Sequence, residues 1–567
     1  MGVHLYPDRV GDHVLNQVPG ANVARYLPWM AQTRPDQTAI VSGVGRDRSG
    51  RVIYQRQSFA SLHTVSDRLA WGLTAYGVQR GMRVLLMVPA GGPLIALTFA
   101  LLKAGCVPIL IDPAMGRRNL TQCIAEAAPE ALIGVPRAHL LRLLAPRACA
   151  TVRKAVVVGP ALPGAAALSE LNVPIRTPFQ LAEVDPDDPA AIVFTSGSTG
   201  TPKGVLYTHG MFEAQIHILR DVFGIEPGEI EMPAFPLFAL FNVALGVTSA
   251  IPPIDPTRPA RCDPAAVVEC IRDLGVTSTF GSPAIWERVS AYCIEHQIQL
   301  PSLRRVLMAG APVPAHLHER LHRILVPPAD SYTPYGATEA LPVTSISGRE
   351  VLAARAEHPT PLAGTCVGYP VSGVQVAIIP ISDEPIATWE ATLCLPVGVV
   401  GEICVSGPAV TRTYVGRPEA TARAKIVDNG GRIWHRMGDL GYIDERGRLW
   451  FYGRKSQRVM TANGLLFTEP VELLFNQHPA VARSALVGVG PAGAQLPVVI
   501  VELRRGVSIQ RTQLIAELRQ IAATTEMTAM IQTFLVHPSF PVDIRHNAKI
   551  FREQLAVWAA RQLSKVS

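Results

Sequence analysis

From about residue 38 to residue 330, short apolar runs alternate with stretches of helical periodicity. Arg83 to Val88, Cys106 to Ile111, Ala131 to Val135, Ala155 to Val158 and Ala190 to Phe194 read as strands. Leu62 to Tyr76, Leu94 to Lys103 and Pro264 to Leu274 read as helices. Alternation of this kind calls for parallel sheets whose faces are covered by helices. From about Gly364 the runs shorten and Gly and Pro become frequent, as around Val374 to Ile379 and Gly401 to Val405, which indicates a β-rich subdomain. After Tyr452 the chain carries a further set of strands and helices. The expected fold class is therefore mixed α/β, and 567 residues are too many for one hydrophobic core. No internal repeat or low-complexity linker interrupts the pattern.

The strand ending at Phe194 runs into Thr195-Ser196-Gly197-Ser198-Thr199-Gly200-Thr201-Pro202-Lys203-Gly204. Glycines let the backbone turn tightly and aim successive N–H groups inward. Such amides form an anion nest, to which Ser196, Ser198, Thr199 and Lys203 add hydroxyls and a cation. The segment is a cradle for a polyphosphate. It does not fit the G-x-x-x-x-G-K-[ST] template, because Lys203 is followed by Gly204. Composition alone also permits a flexible surface loop. The preceding strand and the closing Lys-Gly-Val favour the phosphate reading.

Bulk properties exclude several classes. An apolar content of 48% with 17% charged residues suits a globular protein. A formal charge of +7 over this length, with no block of like charges, gives no case for nucleic acid as a partner. The nine cysteines show no C-x-x-C pair and no zinc spacing, as expected of reduced thiols in a cytoplasmic protein. The first residues lack the apolar core of a signal peptide. Val84 to Leu102 and Met232 to Ile254 are uncharged, but prolines and glycines break both, so neither is expected to span a membrane. The second suits the wall of an apolar pocket, or ordinary core packing. Peripheral contact with a membrane is left open.

The phosphate loop closely resembles that of the acyl-adenylate-forming enzymes, and further motifs of that superfamily follow in order. Tyr335-Gly336-Ala337-Thr338-Glu339 resembles the aromatic-Gly-x-Thr-Glu signature. The resemblance implies that Tyr335 stacks on adenine, Thr338 donates to a phosphate and Glu339 holds Mg²⁺, a cation that prefers oxygen ligands. Gly310-Ala311-Pro312 resembles the loop that lies along the adenine. Gly438-Asp439-Leu440-Gly441 is similar to the segment whose aspartate accepts from the ribose hydroxyls, the role implied for Asp439. Phe451 to Ser456 resembles the inter-domain hinge, with Arg454 as the ribose-contacting arginine and Ser456 where the family usually has Asp or Lys. This implies a large domain, 1–453, holding ATP and acyl group, and a small mobile α+β domain, 454–567. Near the end, Pro541 to Lys549 loosely resembles the segment carrying the catalytic lysine, although Asp543 and Ala548 replace the customary Thr and Gly. The implied catalytic residues are Lys549, Thr338 and Glu339, and the implied cofactors are ATP and Mg²⁺.

Within the superfamily, four segments look like the β-lactone synthetases of olefin biosynthesis. They are Tyr207 to Gln215, Pro233 to Phe241, Asp255 to Pro259 and Ile544 to Glu553. Ala239 stands where many acyl-CoA synthetases carry histidine. The resemblance implies activation of a long-chain 3-hydroxy fatty acid as acyl-AMP, followed by attack of its own 3-hydroxyl to close a β-lactone. It also implies pathway partners: a thiolase, a reductase and a lactone decarboxylase. The alternatives are a fatty acyl-CoA synthetase and an acyl-AMP ligase that loads a carrier protein. The residues do not name the base for ring closure. His209 is a candidate neighbour of the site, with a structural role the stronger reading. Chain length, stereochemistry, CoA use, oligomeric state and a hinge role for Ser456 stay undetermined at this level.

Overall fold

A computed structural model describes residues 18–112, 115–172, 174, 177–194, 201–235, 238–255, 257–542 and 550–565. Two seven-stranded sheets occupy the first part of the chain. In the first sheet, Lys154–Val157, Ala131–Gly134, Arg83–Met87, Val107–Leu110 and Pro189–Phe194 lie parallel in that spatial order. Ala166–Ala167 forms one edge, and Gly204–Thr208 pairs antiparallel at the other. In the second, Asp330–Tyr332, Arg305–Met308, Ser278–Gly281, Ile230–Pro233 and Thr248–Ile251 are parallel, and the hairpin of Thr38–Arg46 with Val52–Ser58 completes the edge.

The helices that cover these sheets follow from local sequence. Phe59–Tyr76 starts where the Ser58 side chain accepts from the Ser61 N–H and stops at Gly77 in the left-handed region. Its apolar side, Leu62, Leu69 and Leu73, enters the same core as Gly92–Lys103. That second helix is apolar all round and buried along nearly its whole length, as expected for a core element. Lys103 ends it with no exposed surface, its Nζ 2.6 Å from Asp67 and 2.7 Å from Ser66 Oγ. Removing either member of such a buried pair strands a charge and costs about 3–5 kcal/mol.

The two uncharged stretches resolve into ordinary elements. The first is strand Arg83–Met87 and helix Gly92–Lys103; the second is strand Ile230–Pro233, helix Phe238–Leu245 and strand Thr248–Ile251. Among the described residues no helix is long and apolar enough to cross a membrane.

The β-rich part is a twisted antiparallel sheet of eight strands. It begins at Tyr335–Ala337, earlier than the composition change near Gly364, and runs to Leu449–Arg454. After Arg454 the strands Val481–Val489, Leu496–Leu503 and Thr533–Val536 form a separate sheet. Its core, with Phe475, Val499, Leu518 and Phe534, draws on helices Thr468–Phe475 and Arg511–Ala522. A polar contact joins it to the preceding part: Thr365 Oγ1 donates to Glu469 Oε1 at 2.6 Å.

Candidate active site

In parallel sheets, the segments that leave the carboxyl ends of the strands converge on one edge, where ligands bind. Phe194, Met308 and Tyr332 are such ends. The segments after Met308 and Tyr332, together with the antiparallel sheet, enclose a cavity of about 1410 Å³. Gly310, Ala311, Pro312, Tyr335, Gly336, Thr338, Glu339, Lys203, Asp439 and Arg454 all line it. Lys203 and Arg454, 251 positions apart in the chain, therefore share one space, which neither periodicity nor composition could show. Two glycines are required by geometry. Gly310 has φ +89°, and a Cβ on Gly336 would lie 2.5 Å from the Ala340 carbonyl oxygen. Thr195 to Gly200 and Lys549 lie outside the described residues. Ile550, the residue after Lys549, pairs with Val542, and both Ile550 and Arg552 line the same cavity.

Asp439 and Arg454 face each other in register across two antiparallel strands. The buried Asp439 carboxylate accepts from the Tyr335 hydroxyl at 2.7 Å and lies 3.1 Å from Arg454 Nη1. The Asp439 charge raises the Arg454 pKa further, while burial keeps the Tyr335 hydroxyl protonated. This gives a fixed carboxylate acceptor with a cation beside it, the donor and acceptor set that a ribose and phosphate need.

Glu339 belongs to a second cluster. Tyr414 donates to its Oε1 at 2.6 Å, and the Thr411 backbone N–H holds the Glu339 carbonyl at 2.9 Å. Tyr414 comes from a distant segment, placed by its bridge to Val205. Lys203 Nζ stands 4.7 Å from the centre of the Tyr414 ring. Lys425 is buried behind that ring, its Nζ 3.3 Å from Thr411 Oγ1. Burial pulls the Lys425 pKa down to about 7, against the opposing pull of Glu339. Burial also lowers Lys203, again with Glu339 opposing. A carboxylate between two cations, oriented by a tyrosine, is a suitable oxygen ligand for Mg²⁺ carried on a triphosphate.

The other end of the cavity is apolar. Tyr207 marks the transition: its hydroxyl donates to the Thr338 carbonyl, and its ring stacks on Phe212 at 4.9 Å. Phe212 meets Phe241 at 6.0 Å, Phe241 meets Phe238 at 5.6 Å, and Phe238 stacks on Phe280 at 3.6 Å. Ala234, Phe235, Leu240 and Ala244 from the second uncharged stretch also line this arm. His209 does not line the cavity. Its Nδ1 accepts from the Val23 N–H at 3.2 Å, and burial lowers its pKa to about 4. It is a core histidine, the structural role favoured above. Ser456 does line the cavity. Tyr414, Lys425 and Tyr207 were not singled out by sequence. Tyr207 lay in a quoted segment, whereas Tyr414 and Lys425 carry no local signal.

Comparison with known proteins gives this geometry a family. Residues 27–415 match the family model described as AMP-binding enzyme. The chain belongs to the AMP-binding enzyme family. Among its AMP-binding relatives is an olefin β-lactone synthetase of Stenotrophomonas maltophilia, 49% identical over 96% of this chain and 99% of that protein. Another olefin β-lactone synthetase, from Xanthomonas campestris, is 47% identical over 95% of this chain and 98% of its own length. The amide bond synthetase McbA of Marinactinospora thermotolerans shares the AMP-binding fold with a TM-score of 0.75 at 25% identity, over 95% of this chain and all of that one. The mixed α/β architecture inferred from the alternation is thus that of the adenylate-forming enzymes.

Proposed function

We propose that this chain is an AMP-forming ligase that converts a long-chain 3-hydroxy fatty acid and MgATP into a β-lactone, AMP and pyrophosphate. Its near full-length likeness to two olefin β-lactone synthetases carries the reading. The cavity supports it, since a charged end suited to MgATP opens directly into an aromatic, apolar arm suited to an alkyl chain.

In the first step a substrate carboxylate oxygen attacks the α-phosphorus of ATP, and the bond to pyrophosphate breaks. Two anions must approach, so cations fixed at the reacting centre lower the barrier. Lys549 is assigned that role, with the Thr195 to Gly200 loop and Lys203 cradling the phosphates. Asp439 and Arg454 hold the ribose, Gly310, Ala311, Pro312, Tyr335 and Gly336 border the adenine, Thr338 donates to a phosphate, and Glu339 takes the magnesium ion. In the second step the 3-hydroxyl oxygen attacks the acyl carbon, the bond to the AMP oxygen breaks, and the hydroxyl proton leaves to a base. Because nucleophile and electrophile share one molecule, the effective concentration reaches about 10⁵ M or more when well oriented. The dry aromatic wall excludes water that would hydrolyse the adenylate. Residues 1–453 act as the large domain and 454–567 as the mobile one that presents Lys549, with Ser456 in the hinge. Pathway contacts with a thiolase, reductase or lactone decarboxylase, a cytoplasmic location and peripheral association with a membrane complete the reading.

The test combines purified protein, MgATP and a racemic long-chain 3-hydroxy fatty acid, with and without CoA. Lactone formed without CoA is expected. Acyl-CoA formed only when CoA is present would instead make the chain an acyl-CoA synthetase, and transfer only to a carrier protein would make it an acyl-AMP ligase.

A further inference from the structure

Helix Pro136–Leu144 leaves an apolar stripe in solvent. Its inner side is fixed: Ala138 and His139 are buried, and His139 Nε2 lies 3.2 Å from the Gly134 carbonyl and 3.1 Å from that of Val156. Leu141 packs against the core of the first sheet. On the outer side Leu140, Leu143 and Leu144 are 51%, 78% and 58% exposed. Spacings of three and four place them on one face. A single exposed leucine needs no explanation, but a contiguous stripe marks a contact surface.

The charged residues in the chain on either side of the stripe have one sign. Residues 131–169 contain no Asp or Glu. Arg137 and Arg147 are exposed on either side of the leucines, and Arg117 and Arg118 are exposed at the start of the neighbouring helix Arg117–Ala127. Arg117 Nη2 donates to the Leu144 carbonyl at 3.3 Å, which ties the two helices together. Arg142, part-buried, donates to the Gly164 carbonyl at 3.1 Å.

We propose that this face docks the protein onto an anionic bilayer surface. The leucines enter the boundary between headgroups and acyl chains, and the arginines meet lipid phosphates. Charge complementarity selects the occupant. Helix Pro136–Leu144 starts directly after strand Ala131–Gly134, at the same carboxyl edge as Val107–Leu110, whose Pro108 and Leu110 line the cavity. An enzyme docked here would draw on the lipid phase for an alkyl substrate. The docking itself stands on the surface alone and does not depend on which acid is activated.

The experiment is sedimentation of the full chain with vesicles of phosphatidylcholine, or of phosphatidylcholine and phosphatidylglycerol in equal parts, at low and high salt. Binding to the anionic vesicles with release by salt is expected. The pair Leu143→Ser with Leu144→Ser should weaken it roughly tenfold or more, and the pair Arg137→Gln with Arg147→Gln should remove the preference for anionic lipid. Unchanged melting temperatures show that the variants fold. Absence of vesicle binding, or binding that both pairs retain, overturns the proposal. A change in assembly size with no change in vesicle binding also overturns it and assigns the face to a protein contact. Lactone formation is measured separately, so failure of docking and failure of the proposed reaction are distinguishable.

Discussion

Replacing Tyr414 by Phe removes one oxygen and keeps the ring. The hydroxyl donates to Glu339 Oε1 at 2.6 Å, while the ring supports Lys203 at 4.7 Å, so the substitution separates carboxylate orientation from packing of the lysine. A hydrogen bond to a charged group contributes about 1.5–3 kcal/mol, which corresponds to roughly 10- to 150-fold in rate if all of it serves to orient Glu339. The backbone of Tyr414 is held independently, its N–H donating to Thr421 Oγ1 at 3.0 Å and its chain neighbour Val415 to the Gly204 carbonyl, so the fold should be unaffected. The assay is pyrophosphate release at saturating acid across a magnesium titration, with nucleotide binding measured by calorimetry. Tyr414→Phe should slow release by the stated factor and raise the magnesium concentration needed for half-maximal rate. If Tyr414 acts through Glu339, adding Tyr414→Phe to Glu339→Gln should cost far less than it does alone, a coupling on the order of 1 kcal/mol or more. Effects that multiply in the double variant, or a single variant as fast as the parent, would refute the reasoning.

Other substitutions probe the remaining assignments. Lys549→Ala should abolish adenylation and largely spare ATP binding by calorimetry; unchanged turnover would remove that lysine from the reaction. Ala244→Phe should fill part of the apolar arm and lower kcat/KM for long acids more than for short ones, by about 0.8 kcal/mol for each methylene excluded, read across a chain-length series. Glu231 is buried on strand Ile230–Pro233, and burial raises its pKa to about 7. The native state thus holds a proton that the unfolded chain releases near its ordinary value, so stability is highest below that value and falls as pH rises through about 7. Glu231→Gln should remove this loss, and melting curves from acid to alkaline pH should show the variant gaining on the parent as pH rises to about 7 and keeping a constant advantage above it.

The fold was more legible than the site because the two rest on different ranges of interaction. Helix Pro264–Leu274 appears at the bounds its periodicity predicts, and strand Pro189–Phe194 extends its expected run by one residue. Both depend on near neighbours and a buried face. Phe59–Tyr76 begins three residues before the predicted Leu62, because Ser58, not the first periodic leucine, supplies the cap. Tyr335, Glu339, Asp439 and Arg454 could be named because they sit in short motifs. Tyr414 and Lys425 could not, since a tyrosine in a loop and a lysine at a strand start have no local mark. Their roles arise from the bridge to Val205 and from burial, both products of tertiary structure.

The placement of Tyr207 connects the two halves of the proposed reaction. Adenylation needs water-stable charges near the phosphates, whereas ring closure needs the acyl carbon shielded from water. Tyr207 meets both demands: its hydroxyl is spent on the Thr338 carbonyl, and its ring begins the aromatic series through Phe212, Phe241 and Phe238 to Phe280. A substrate whose carboxylate reaches the charged end therefore lays its alkyl chain along that series. In the proposed reaction the 3-hydroxyl, two carbons from the acyl carbon, would then fall at the boundary between the two. Ala239, on the same helix Phe238–Leu245, is buried in the core behind this wall, while Phe238, Leu240, Phe241 and Ala244 line the cavity. An apolar wall of this kind offers the proposed adenylate few partners for water, and a hydroxyl tethered to the acyl carbon competes from within the same molecule.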